Sequence, residues 1–363
     1  MGTANVSKQN PTSNYSIGAD LIRILGGLGV VFIHVSDSFI LFPDYHGGLS
    51  WWIIFFLNTI TKVCVPLFVM ISGYLLLDIE KSYEANTFFR KRVLRVGIPF
   101  VFWTILFFIW QAVWVHKTIT LPYFIDSILR SNLGYLYFMV IIFEIYLIAP
   151  VIRAYVGNAT KKNQAYLLIG SFLLTALVLA INRFYPPAEV NWGGNILTRF
   201  IPYTPYFIAG AFLRSVSLSI KHTYILYALF WILGILATTA GSDIKVEDLD
   251  GYSRHFSSPF IIVMTLIAFV SLITIGNRIN TQALSSRLVQ FVRNASVSIF
   301  GIYLVQLYVI DILDYFFNLQ PGHIVSPIWL YIVFKALIVF VISYIIVQLL
   351  SRLSFTKIIF GQV

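Results

Sequence analysis

Long apolar runs alternate with short polar joints along this chain, and the length of the runs predicts helices that cross a membrane. Ten runs come near the roughly 20 residues that a helix needs to span the hydrocarbon core. They are Ile17–Leu41, Trp51–Leu77, Val93–Val115, Leu133–Ile152, Ala165–Phe184, Phe200–Leu213, Thr223–Ala240, Pro259–Ile275, Val297–Phe317 and Ile328–Leu350. The sixth is short and broken by Pro202 and Pro205. No tandem repeat, low-complexity run or soluble domain interrupts the series. The expected fold is all-α: a polytopic integral membrane protein with about ten transmembrane helices. Residues 1–16 read as a flexible cytoplasmic tail, 17–354 as one transmembrane domain, and 355–363 as a second cytoplasmic tail.

Composition agrees. Of 363 residues 58% are apolar and only 11% charged, with a mean hydropathy of +0.83; a soluble domain could not cover that much apolar surface. The first sixteen residues are polar and the first apolar run is too long for a signal core, so no cleavable signal peptide is expected. The net charge of +10 marks topology rather than a nucleic-acid partner. With the N-terminus inside, cytoplasmic segments hold sixteen Lys and Arg and external loops six, which places both termini in the cytoplasm. The single cysteine, Cys64, lies inside a run. That excludes an internal disulfide and argues against a thiolate metal site, so no metal is expected. Walker, GxSxG and HExxH motifs are absent.

Ionisable residues inside apolar runs are the candidates for function, because charge at membrane depth is costly. The first run carries Asp20, Arg23, His34 and Asp37. Arg23 and His34 are eleven residues apart, about three helical turns, so they share one face some 16 Å apart along the axis. His34 is the only histidine within a run, and on spacing alone a structural imidazole and a general base weigh equally. Asp37, one turn on, either orients that ring or hydrates the helix end. Lys62 lies near mid-membrane in the second run, followed by Pro66, which bends the helix, and Ser72-Gly73, which admits another backbone. The stretch FFRKRVLR carries Arg90, Lys91, Arg92 and Arg95. Residues alone favour membrane anchoring for it; the sharper reading is a seat for an anionic ligand, since Arg grips phosphate with forked hydrogen bonds. Glu144, halfway across the fourth run, needs a partner or a proton, and Lys62 or Lys335 could neutralise it. Asp311 with Lys335 is a second plausible pair, and structural roles are favoured for both. An acidic external loop with Asp243, Glu247, Asp248 and Asp250 reads as a solvated cap.

Three segments, ADLIRILGGLGVVFIHV, PLFVMISGYLLL and FRKRVLRVGIPFVFW, occur in that order, and with them the chain resembles membrane-bound acyltransferase family 3, which includes O-acetyltransferases of bacterial surface polysaccharides. Asp20, Arg23 and His34 match the family's Asp-x-x-Arg and Arg-x10-His pattern, and weaker echoes extend the resemblance over nearly the whole chain. Tyr137 stands where the family often has Trp. Gln306 stands where it often has a histidine, and Gln cannot carry a proton at neutral pH. The resemblance implies transfer of an acyl group, usually acetyl, from cytoplasmic acetyl-CoA to a hydroxyl of a surface or lipid-linked glycan, at the cell inner membrane. Acyl-CoA, a carbohydrate acceptor and membrane lipid are the implied partners, with no permanently bound cofactor. His34 and Asp37 would be catalytic, and Arg23, Ser72, Arg90, Arg92 and Arg95 would hold the donor. Asp20, Lys62, Glu144, Gln306 and Lys335 would border the chamber or form structural pairs. Arg23 has two competing roles: holding CoA phosphate or pairing with Asp20. Two rivals remain, a glycan exporter without acyl transfer and a membrane scaffold.

Overall fold

A computed structural model describes residues 16–80, 84–130, 132–184, 195–216, 218–241, 251–280, 283–322 and 327–362. The polar tail 1–15 and the acidic loop around Asp243 to Asp250 lie outside them. The described chain is all-helical: α1 (Ile17–Ile40), α2 (Leu49–Thr61), α3 (Cys64–Leu76), α4 (Ala85–Arg92), α5 (Ile98–Val113), α6 (Leu121–Leu129), α7 (Tyr137–Asn158), α8 (Lys161–Phe184), α9 (Thr204–Phe212), α10 (Ile220–Ala240), α11 (Gly251–Arg254), α12 (Pro259–Arg278), α13 (Ser286–Phe317), α14 (Ile328–Leu350) and α15 (Ser354–Ile359). Among the described residues, nine helical stretches are long and apolar enough to cross a membrane. Leucines and isoleucines such as Leu173, Leu177, Ile225 and Ile232 project from α8 and α10. This apolar outer face belongs to a protein solvated by lipid.

The first helix is the centre of the bundle, packed by α2, α3, α12, α13 and α14. Ser16 caps it by accepting from the Ala19 N–H, and Asp20 lies in the first turn, where the helix dipole favours a carboxylate. Small residues let its neighbours come close. A Cβ on Gly276 of α12 would lie 2.2 Å from the Gly18 Cα, and one on Gly29 would lie 2.3 Å from the Cys64 Sγ.

The second run is one span, Leu49–Leu76, whose ladder breaks partway along it. Lys62 and Val63 separate α2 from α3. Pro66 has no N–H for the Lys62 carbonyl four residues earlier, so the ladder opens there. A related device precedes α5: Val93–Gly97 forms a turn of π-helix, with the Ile98 N–H reaching back to the Val93 carbonyl. Pro99, which has no N–H, likewise cannot donate to the Arg95 carbonyl four residues earlier.

Three sequence expectations change. The sixth run, Phe200–Leu213, is the short α9 flanked by 3-10 turns at Ile201–Tyr203 and Leu213–Ser215, and it is not among the nine long helices. It is nevertheless tightly held: a Cβ on Gly73 would lie 1.8 Å from the Phe207 carbonyl oxygen, and one on Gly210 1.9 Å from that of Met70. The ninth run is longer than expected, starting at Ser286. Residues 355–362, read as a tail, fold back on the bundle: Phe360 is fully buried and Trp103 Nε1 donates to the Ile359 carbonyl at 2.8 Å.

Candidate active site

Between α1, α3, α7, α13, the π-turn and the C-terminal turn lies a cavity of about 520 Å³. Arg23, Ser72, Arg92, Arg95, Ser296 and Gln362 line it at one end. His34 lines it as well, three turns further along α1, in the company of Val65, Tyr135 and Tyr137. The wall between is apolar, with Phe68, Ile71, Phe138, Ile142 and Ile299. The end of the bundle that carries the arginines is called the basic end below.

At that end Asp20 organises two helices. Its Oδ1 accepts from Arg23 Nη1 at 3.1 Å and from Ser296 Oγ at 2.6 Å. Asp20 is buried, whereas the Arg23 side chain keeps 30% of its surface exposed. Arg23 therefore pairs with Asp20 through one nitrogen and still faces the cavity, so its two expected roles are compatible. The Arg92 guanidinium lies 5.0 Å from the ring centres of both Phe88 and Tyr146, an arrangement that fixes its direction. Arg95 projects from the π-turn, and turns of this kind re-aim side chains at functional sites. Ser72 lines the cavity while its hydroxyl donates to the Phe68 carbonyl at 2.9 Å. Arg90 is exposed on α4 and is not part of the lining.

His34 is half-buried, and the charges acting on it are Asp37 and Lys62. Asp37 makes no hydrogen bond to the ring among the described residues. Its Oδ1 accepts from Asn58 Nδ2 at 2.9 Å, and the same nitrogen donates to Ser36 Oγ at 2.7 Å. The Asn58 side-chain oxygen, Oδ1, accepts from Arg254, a fully buried cation that stacks 4.0 Å over Phe55. The C-terminal part of α1 is thus pinned to α2 and α11 by a buried polar network.

The remaining charges lie off the cavity, since Lys62, Glu144 and Lys335 are not in its lining. Lys335 pairs with Asp314, not with Asp311 or Glu144, and Nζ also donates to the Leu319 carbonyl at 3.2 Å. Asp311 accepts from Trp110 Nε1 at 2.8 Å instead. Glu144 is buried on the other side of α7, facing Arg199 and the Phe200 backbone. Gln306 is fully buried, with neither amide atom hydrogen-bonded among the described residues, one turn beyond the cavity-lining Tyr303.

Sequence reasoning missed Ser296, Tyr135, Tyr303 and Gln362. Ser296 and Tyr303 are seven residues apart on α13, two helical turns and one face, a repeat that could have flagged them. Gln362 lies beyond the last apolar run and gave no signal. Among the described residues, no group of three His, Cys, Asp or Glu side chains comes together to hold a metal ion.

Comparison with protein-family models matches residues 16–348 to an acyltransferase domain, the family 3 type. No curated protein and no solved structure matches the chain.

Proposed function

The chain belongs to this acyltransferase family, and from that premise we propose that it moves an acetyl group from cytoplasmic acetyl-CoA to a hydroxyl of a surface or lipid-linked glycan. One observation carries the reading: a single cavity holds both the arginines of the basic end and His34.

In this reading the basic end faces the cytoplasm, as its Lys and Arg content favours. Arg92 and Arg95, with Arg23 beside them, hold CoA phosphates by charge-assisted hydrogen bonds. The pantetheine arm lies along Phe68, Ile71, Phe138 and Ile142, which exclude water and bring the thioester to His34. The acceptor hydroxyl enters from the far end. His34 takes its proton as the oxygen attacks the thioester carbonyl, and the new C–O bond replaces the C–S bond. The proton then passes from His34 to the departing CoA thiolate, leaving free CoA and an O-acetyl ester. Asp37 and Lys62 set the field around the imidazole, and Asp37 favours the imidazolium that forms in mid-reaction.

The membrane is the cell inner membrane, with the acceptor delivered on its outer side. A glycan-export reading would need Lys62, Glu144 and Lys335 along a path, and none of them lines the cavity. The assay is free-CoA release by the purified protein given acetyl-CoA and an envelope glycan fraction. His34→Ala should lower it by roughly 100- to 10,000-fold, the usual contribution of a positioned base, with the folded elution peak unchanged. Release that is unaltered in the variant removes His34 from the mechanism.

A further inference from the structure

The turn that ends the described chain is built into the donor cavity. After α15, Phe360 packs 5.9 Å from Trp103, beside Gly301 of α13. Gly361 then takes a left-handed φ of +64° against the Arg95 carbonyl. A Cβ at Gly361 would lie 2.5 Å from the Arg95 oxygen and 2.9 Å from the Phe300 ring. Glycine alone suits both that φ and that approach. The Gln362 N–H closes the turn on the Lys357 carbonyl at 2.8 Å.

This geometry carries the Gln362 side chain into the cavity wall beside Arg95. Its Nε2 is shielded from solvent and has no acceptor among the described residues. A buried amide N–H is unfavourable unless something accepts from it, and half a rotation of the terminal amide presents that N–H to the cavity that Gln362 lines. Gln362 also lies outside residues 16–348, the stretch that matches the family.

We propose that Gln362 is a donor-binding residue: its amide N–H hydrogen-bonds an oxygen of the acyl-CoA whose phosphates are held by Arg92 and Arg95. The C-terminal turn thereby forms a wall of the donor site rather than a tail. The inference rests on the reading that the cavity takes acyl-CoA. A neutral donor next to three arginines contributes direction rather than charge, so it fixes how the arm enters and not how the acyl group reacts.

The test is CoA itself, the free thiol, titrated calorimetrically into the purified full-length protein. Gln362→Met keeps the shape and removes the donor; Gln362→Glu keeps the size and reverses the hydrogen-bonding sense. Each should weaken CoA binding about 5- to 20-fold, the scale of one ligand hydrogen bond. KM for acetyl-CoA should rise in step, with kcat at saturating donor within twofold of the wild-type value. A wild-type protein that does not bind CoA defeats the functional reading and this inference with it. Wild-type binding with both variants unchanged defeats this inference alone. Loss of the folded elution peak in both variants assigns Gln362 to structure and also overturns it.

Discussion

Asp37 shows how a side chain can be placed by sequence while its partner is not. Its position one turn beyond His34 left open an orienting contact with the ring or hydration of the helix end, and in the structure its carboxylate is engaged by Asn58, which is in turn held by Arg254. Asp37 therefore acts on the imidazole through space. The Arg23–His34 spacing was legible because both residues lie on one helix, whose geometry is fixed. Partners on other helices were not, because helix rotation decides them. Lys335 makes the point with numbers. Its side chain is 2% exposed and paired with Asp314, so Lys335→Met strands a mostly buried carboxylate and should cost about 3–5 kcal/mol of stability. Adding Asp314→Leu to that variant should recover most of the loss, because an apolar pair of similar volume replaces a buried ion pair at little cost. Thermal unfolding followed by intrinsic fluorescence measures both changes. Acetyl transfer per folded molecule should stay near wild type in the double variant, as the pair lies off the cavity; a large drop in activity would assign the pair to the reaction path.

At the scale of elements, prolines shape the functional ends of helices. Pro66 opens the ladder at Lys62–Val63 beside the His34 wall, and Pro99 follows the π-turn whose Arg95 carbonyl packs against the C-terminal turn. The Pro66 bend was legible in the sequence; the place where the ladder parts, at Lys62–Val63, was not, because a proline says that one bond is lost and not how the chain relaxes. The sixth run failed as a long span for the same reason: Pro202 and Pro205 hold its start in a 3-10 turn. What secures the resulting short helix is contact. Gly73 and Gly210 let α3 and α9 meet backbone to backbone, and Gly73→Ala or Gly210→Ala would drive a methyl into a main-chain oxygen under 2 Å away. Neither oxygen can move without its helix, so each change should cost about 3 kcal/mol or more, at the upper end for overpacking. Fluorescence-detected size exclusion of detergent extracts should show most of the folded peak lost in each. Retention of a full peak would mean that the two helices are less tightly held than their geometry implies.

For the whole molecule, composition and run length were enough to read an all-helical membrane protein, and the nine long helical stretches among the described residues bear that out. The residues that close the cavity were less legible. Asp20, Arg23, Ser72, Arg92 and Arg95 come from three separate stretches of sequence yet meet at one end, and Ser296 and Gln362 join them from the other end of the chain. Assembly through α1 explains this: a central helix packed by five others brings distant segments to one wall. The central claim is that donor enters at the basic end and chemistry occurs at His34. Sealed vesicles with the cytoplasmic face outward, supplied with acetyl-CoA labelled in its acetyl group, test it most directly when the label reaching envelope glycan is counted. Wild-type vesicles should transfer label from the outside medium, and His34→Ala vesicles should transfer at least about 100-fold less. Equal transfer by the two, or transfer only when the donor is sealed inside, would contradict the account.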